Sequence, residues 1–293
     1  MSYPDKITKT MEEFQYISPK TVPKTVSILA EANGKASVLA GGTNLVRMMM
    51  MRVATPEYVV DVKNIADLAY IQEDDDGIKI GALTTISALK DSKLIRSKCV
   101  AISEAANKFG TPLIRNMATI GGNICRSSPA ADMAPPLMVL DAMVKLIGPK
   151  GERKILLENF FTGPGQNVLD QELLTEILIP KKSDRYGYAF EKIMRNTGDL
   201  AKASCAVGIS VKNGKCDDLR IALGAVADRP IRAKTVEMGL KGKAINDSLI
   251  ETAAKKVVED ISPITDVRST DVYRTEVSKV LVQRLIKLAI QRI

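Results

Sequence analysis

The chain has no histidine and no tryptophan, and aromatic residues make up only 4% of its 293 positions. Without imidazole there is no Ser-His-Asp or Cys-His nucleophile, no histidine-ligated metal and no histidine base. Asp, Glu, Lys and Tyr remain for proton chemistry. The four cysteines, Cys99, Cys125, Cys205 and Cys216, are never closer than eleven residues apart. No C-x-x-C pair occurs, which argues against a zinc site or an iron–sulfur cluster built by this chain alone. They read as buried free thiols in a reducing compartment. No apolar run approaches the roughly 18–20 residues that span a bilayer. The first residues, MSYPDKITKTMEEF, carry acids and no apolar signal segment, so the expected location is cytoplasmic. Low-complexity segments are also missing.

What is present is an ordinary globular composition, 45% hydrophobic and 26% charged, with a net charge of +8 and a pI near 9.2. The positive balance does not point to nucleic acid. Stacking aromatics are scarce, and no helix-turn-helix, RNP or zinc-finger pattern occurs. A chain without histidine fits a protein that holds a cofactor and leaves the hard chemistry to it.

The first third reads as alternating helix and strand. PKTVSILAEANG, with Pro23 early and Val26, Leu29 and Ala30 on one face, predicts a short helix stopped at Gly34. ASVLAGG is a buried strand running into a glycine turn. NLVRMMMMR follows as a helix, its methionines expected in the core, and EYVVDV is the next strand. From Lys63, YIQEDDDGIKIGA predicts two strands around Asp-Gly. TTISALKDS and KLIRSKCVAISEAANKFG predict two helices, the second ending at Gly110. AMVKLIGPKGERKIL predicts a hairpin, and LLTEILIP another strand. The last third holds three strands in YGYAFEKIMR and SCAVGISVKNGKCDDLRIALGAV, the latter folded at Asn-Gly. Two amphipathic helices close the chain. The final one carries Val277, Val280, Leu281, Leu285 and Leu288 at helical spacing, with Thr270 or Asp271 as its cap. Strands followed by helices suggest a small α+β unit.

Two stretches repeat one another: LAGGTNLV (Leu39 to Val46) and TIGGN (Thr119 to Asn123). Gly-Gly turns allow positive φ and close backbone approach. Their successive N–H groups form a nest for anions, and Thr and Asn add short polar donors. Neither stretch matches G-x-G-x-x-G or the P-loop. Together they suggest a clamp for the pyrophosphate of a dinucleotide held by a non-Rossmann fold. Steric Gly-Gly turns without a ligand are the competing reading. Asp132 is read either as a ribose or adenine partner or as a helix cap.

LAGGTNL, IRNMATIGGNICRSSPAAD with APPLMVLDA, AFEKIMRNTGDLA and VRSTDVYRTEV occur in that order over nearly the whole chain. In these motifs the chain resembles the FAD-binding medium subunit of molybdenum hydroxylases, the xanthine dehydrogenase and carbon monoxide dehydrogenase family. The resemblance implies an α+β, vanillyl-alcohol-oxidase-like (PCMH-type) fold. Two α/β subdomains, 1–62 and 63–179, bind FAD, and a C-terminal α+β domain of antiparallel sheet and helices, 180–293, covers it. It also implies that Leu39, Ala40, Gly41, Gly42, Thr43, Asn44 and Leu45 wrap the FAD together with Thr119, Ile120, Gly121, Gly122 and Asn123. Ser128 and Asp132 then serve the ribityl or adenosine side. Leu174 packs near the cofactor and Lys192 lies near the flavin. Asn44 departs from the Ser or Asp often found there. Cys125 is expected as a structural thiol, Arg126 as a phosphate or partner contact. Tyr186 and Tyr188 either cover the flavin or pack in a core or interface.

The implied partners are a large subunit with a molybdenum cofactor and a small subunit with two [2Fe-2S] clusters, in a dimer of heterotrimers. Electrons then leave for an external acceptor, with no membrane span and no catalytic residue or metal ligand on this chain. A self-contained FAD enzyme of the UDP-N-acetylenolpyruvylglucosamine reductase type and a flavin-less scaffold subunit are the alternatives.

Overall fold

A computed structural model describes residues 11–182 and 185–293. The opening of the N-terminal segment, Met1 to Thr10, on which the cytoplasmic expectation rests, lies outside the described residues.

The chain begins with β1 (Gln15–Ile17), α1 (Val22–Ala32), β2 (Ala36–Leu39), α2 (Leu45–Met50) and β3 (Tyr58–Asp61). Thr21 caps α1 by accepting from the Lys24 N–H, Pro23 sits in its first turn, and Asn33 ends it in the left-handed region at φ 45°. The three strands make a parallel sheet in the order β1-β3-β2. β1 was not legible: it is three residues long and mostly exposed.

β4 (Ile71–Glu73) and β5 (Gly77–Gly81) form the hairpin expected at Asp-Gly. Six helices follow: α3 (Ile86–Asp91), α4 (Lys93–Lys98), α5 (Val100–Lys108), α6 (Pro112–Met117), α7 (Ile120–Cys125) and α8 (Ala134–Val139). The single helix expected over KLIRSKCVAISEAANKFG is two helices, broken where Cys99 leaves the helical region at ψ 54°. The hairpin β6 (Met143–Gly148) and β7 (Gly151–Leu156), the short pair β8 (Phe161–Gly163) and β9 (Gln166–Asn167), and β10 (Leu173–Pro180) complete this unit. Its five-stranded antiparallel sheet runs β4-β5-β10-β6-β7.

The last unit contains β11 (Gly187–Ile193), β12 (Ala203–Lys212), β13 (Lys215–Gly224), β14 (Ile231–Arg232), α9 (Lys234–Leu240), α10 (Asp247–Lys255) and α11 (Asp271–Ile290). Its four strands are antiparallel in chain order. The turn between β12 and β13 is Asn213-Gly214, both at positive φ. Thr270 caps α11, accepting from the Tyr273 N–H at 3.2 Å. The buried face of α11 is Leu281, Val282, Leu285, Ile286 and Ala289. It is therefore rotated from the predicted stripe, and Val280 points to solvent.

The methionine run departs further from expectation. Met49 is buried, but Met50 and Met51 are exposed, so core packing explains only part of it.

Arg274, from VRSTDVYR, ties the last unit together. It is buried, and its guanidinium donates to the carbonyls of Lys202 (2.7 Å) and Ala225 (2.6 Å) and to Asp266 Oδ1 (2.7 Å). No apolar replacement satisfies those carbonyls. We expect Arg274→Ala to cost about 3 kcal/mol, read as a lowered urea midpoint. A loss within experimental error would show that this cation is dispensable.

Candidate cofactor site

The two glycine stretches meet in space. A Cβ on Gly41 would collide with the Met117 carbonyl oxygen, so only glycine lets the first loop close on the chain that leads into the second. Gly42 has φ +72° and turns the chain toward α2. The N–H groups of Gly41, Gly42, Thr43 and Asn44 donate to no acceptor among the described residues. The Asn44 side chain does not cap α2. Four backbone donors, the Thr43 hydroxyl and the Asn44 amide are thus available at one half-buried bend. This is the nest that an anion needs.

The second stretch differs from expectation. Gly121 and Gly122 do not form a positive-φ turn. They are the first turn of α7, with Thr119 as cap. The Ile120 N–H donates to Thr84 O (3.0 Å), Gly121 to Ala82 O (2.9 Å) and Gly122 to Thr119 Oγ1 (3.1 Å). These donors are consumed internally, so this loop is a wall and not a second nest. Its glycines are needed for closeness: a Cβ on Gly121 would stand 2.8 Å from Ala82, and one on Gly122 would stand 2.9 Å from Thr119 Oγ1. The same Gly122 position lies 3.9 Å from the Ala40 Cβ, so the two loops lie side by side. Ile120 is core; Leu39 is buried and Leu45 partly buried in a small satellite cluster.

Asn123 carries the wall onward. Its Oδ1 accepts from the Met133 N–H at 3.2 Å, while Ser128 Oγ accepts from Ala130. Next to Met133, Asp132 meets Lys192 of β11: Nζ to Oδ2 is 2.8 Å, and the Lys192 side chain is 0% exposed. The other carboxylate oxygen, Oδ1, has no partner, and neither has the buried Ser204 hydroxyl among the described residues. Ser204 faces Lys192 in the β11–β12 register. Asp132 and Lys192, sixty residues apart, are brought together; as an ion pair they join the middle and last units. Burial pushes the Asp132 carboxyl up to about 6, and the Lys192 charge opposes that rise.

Leu174 is buried in the middle core opposite Leu146. Tyr186 and Tyr188 stack on each other at 5.6 Å, with Tyr186 donating to Asp218, which favours the packing reading. Cys125 is held as a thiol, pushed up to about 12 by burial, and suits a structural role. Arg126 is exposed.

Residues 12–182 match the family described as the FAD binding domain in molybdopterin dehydrogenase, and residues 188–289 match the CO dehydrogenase flavoprotein C-terminal domain. The chain belongs to this family of FAD-binding oxidoreductase subunits. It is similar to the glyceraldehyde dehydrogenase medium chain of Sulfolobus acidocaldarius, 36% identical over 276 residues that cover 94% of this chain and 98% of that one. It is also similar to the carbon monoxide dehydrogenase medium chain of Afipia carboxidovorans, at 35% identity over 94% of this chain and 96% of that one. Among solved structures, carbon monoxide dehydrogenase from Hydrogenophaga pseudoflava superposes with a TM-score of 0.93 at 33% identity, over 97% of this chain and 99% of that one. The expected PCMH-type fold agrees with that superposition. The residues fit FAD on their own terms: free peptide donors suit its pyrophosphate, and the orphaned Asp132 Oδ1 suits a hydroxyl donor.

Gly122 is exposed. We expect Gly122→Val to abolish FAD retention with little change in Tm; unchanged flavin content would refute the wall assignment. A pH test addresses the ion pair. The folded Asp132 value, about 6, lies above its ordinary 3.8. Its contribution is therefore held at low pH and lost as pH rises through that window. In Lys192→Met the opposing cation is gone and the window extends upward. Its stability deficit should widen between pH 6 and 8, and Asp132→Asn in the same chain should remove that widening. Equal deficits at both pH values would sink the paired-charge account.

Proposed function

We propose that this chain is the FAD-bearing electron-transfer subunit of a molybdenum hydroxylase complex. The observation that carries the reading is the bend at Gly41 to Asn44, with four unspent N–H donors, closed against Met117 and the wall of α7. In this reading Gly41, Gly42, Thr43 and Asn44 hold the pyrophosphate by short neutral donors, each bond worth roughly 1.5–3 kcal/mol to a charged oxygen. Asn123 ends the adjoining stretch. Ser128 and Asp132 serve the ribityl or adenosine side, and the Lys192 ammonium supplies positive charge behind it. Bound FAD supplies the exchange between one-electron carriers and a two-electron acceptor. The chain itself orients that group and excludes water around it.

Electron delivery is assigned to a small partner with two [2Fe-2S] clusters, and substrate oxidation to a large partner with the molybdenum cofactor. The chain's own thiols do not suit clusters: Cys99 and Cys125 are pushed up to about 12 and Cys216 to about 11 by burial. Among the described residues no group of three or more Cys, Asp or Glu side chains is arranged to hold a metal. Free thiols fit a reducing compartment, so we place the complex in the cytoplasm. Among the described residues no helix is long and apolar enough to cross a membrane. The three larger sheets, one in each segment, support a division at 1–62, 63–179 and 180–293. The complex is read as a dimer of heterotrimers of carbon monoxide or xanthine dehydrogenase type. Similarity over 94% of the chain to proteins named as medium chains favours a subunit over a stand-alone reductase.

We expect the purified chain to be yellow and to oxidise neither xanthine, aldehydes nor CO. Co-purified with its partners, its flavin should be reduced by the complex's substrate. Substrate oxidation by the chain alone, without molybdenum, would overturn the subunit reading. A colourless chain with no affinity for FAD would favour a scaffold.

A further inference from the structure

A hollow of about 260 Å³ lies where the middle and last units meet. That is just below the roughly 300–1,000 Å³ of sites for drug-sized ligands, so its occupant is small. The middle unit lines it with apolar groups: Met138 of α8, Ala142 after it, and Leu156 and Leu157 at the end of β7. Leu156 is 41% exposed there. The last unit lines it with cations: Arg220 of β13, Arg232 of β14 and Lys234 at the start of α9. Asp141 and Glu158 are the acids on the lining, so three cations and two carboxylates leave one positive charge. Helix α8 begins two residues after Asp132 and ends two before Asp141. The hollow and the Asp132–Lys192 pair therefore stand at opposite ends of one short helix.

The charges on the lining are not held alike. Arg220 Nε donates to both oxygens of Asp141, at 2.6 and 2.7 Å. Arg232 donates to both oxygens of Glu237, through Nε at 2.7 Å and Nη2 at 2.8 Å. These are the distances of strong charge-assisted bonds. Glu158 is held loosely by comparison: its Oε2 lies 3.5 Å from Arg232 Nη1 and its Oε1 lies 3.3 Å from Lys234 Nζ. The Arg232 side chain is only 9% exposed, so its Nη1 is a largely desolvated donor without a close partner among the described residues. One carboxylate oxygen on each of two cations is the arrangement of an anion site, and Glu158 stands in it as a poorly fitting occupant. We propose that this hollow binds a small organic monocarboxylate. Its carboxylate displaces Glu158 from Arg232 and Lys234, and its carbon chain lies against Leu156. Covering that leucine removes apolar surface from water. The single surplus charge matches a monoanion, and Asp141 Oδ1, 3.9 Å from Arg232 Nη1, opposes a dianion such as phosphate. The inference does not rest on the assignment of FAD to the glycine clamp.

The test titrates the full purified chain with hexanoate, followed by ligand-observed NMR, with hexan-1-ol and inorganic phosphate as comparison probes. We expect saturable binding of hexanoate and weaker binding of the other two. Glu158→Gln removes the competing charge and should tighten hexanoate about threefold; Lys234→Gln removes one of the two cations and should weaken it about threefold. The Lys234 side chain is 63% exposed and that of Glu158 26%, and their mutual contact is long, so the fold does not hang on either. Charges that serve only to join the two units would not move a ligand's affinity in these opposite directions. A parent chain that does not bind hexanoate overturns the proposal, whatever the variants do, and leaves the network as a structural joint. Equal affinities in the parent and both variants overturn the placement. Hexan-1-ol binding as tightly as hexanoate overturns the role of the cations, and phosphate binding as tightly overturns the choice of a monocarboxylate. Displacement of hexanoate by added ADP would put the probe in the glycine nest and overturn the hollow as its site.

Discussion

The site depends on one close approach, that of Gly41 to the carbonyl of Met117. A single methyl group at position 41 would fill the space through which the loop after β2 packs on the end of α6. That contact fixes one side of the site. The Gly41 to Asn44 donors beside it have no acceptor among the described residues, and Ala40 stands beside the wall formed by α7. The wall stands where it does because its own N–H groups are spent on Thr84 and Ala82, which anchor it to the chain just after β5.

The middle and last units are joined by a different kind of contact. Lys192 and Asp132 form a buried ion pair, and such pairs are held by geometry as much as by energy. A lysine that is completely buried cannot move without carrying its carboxylate along. Asp132 is adjacent to Met133, whose N–H is held by Asn123 at the end of the TIGGN stretch. The TIGGN stretch and the C-terminal sheet are therefore linked through one residue of backbone and one ion pair. Arg274 does the complementary work inside the last unit, drawing the ends of β12 and β13 onto α11.

Much of this was legible because it is local. Asn213-Gly214 announces its hairpin, Thr21 and Thr270 announce their helices, and Gly42 announces a positive φ. The pairing of the two glycine stretches was also legible, because both carry the same residue types. What was not legible depends on distant partners. Nothing within TIGGN reveals that its N–H groups are taken by carbonyls more than thirty residues earlier, so a wall read as a nest. The break at Cys99 hides inside an unbroken apolar periodicity.

The donors of the nest are peptide groups and not lysine or arginine side chains. A dipole held within hydrogen-bonding distance of its anion leaves no room for mobile ions between them. If FAD is held there as proposed, its retention would depend less on ionic strength than if side-chain cations held the anion, and the chain's surplus of positive charge would not be needed for it.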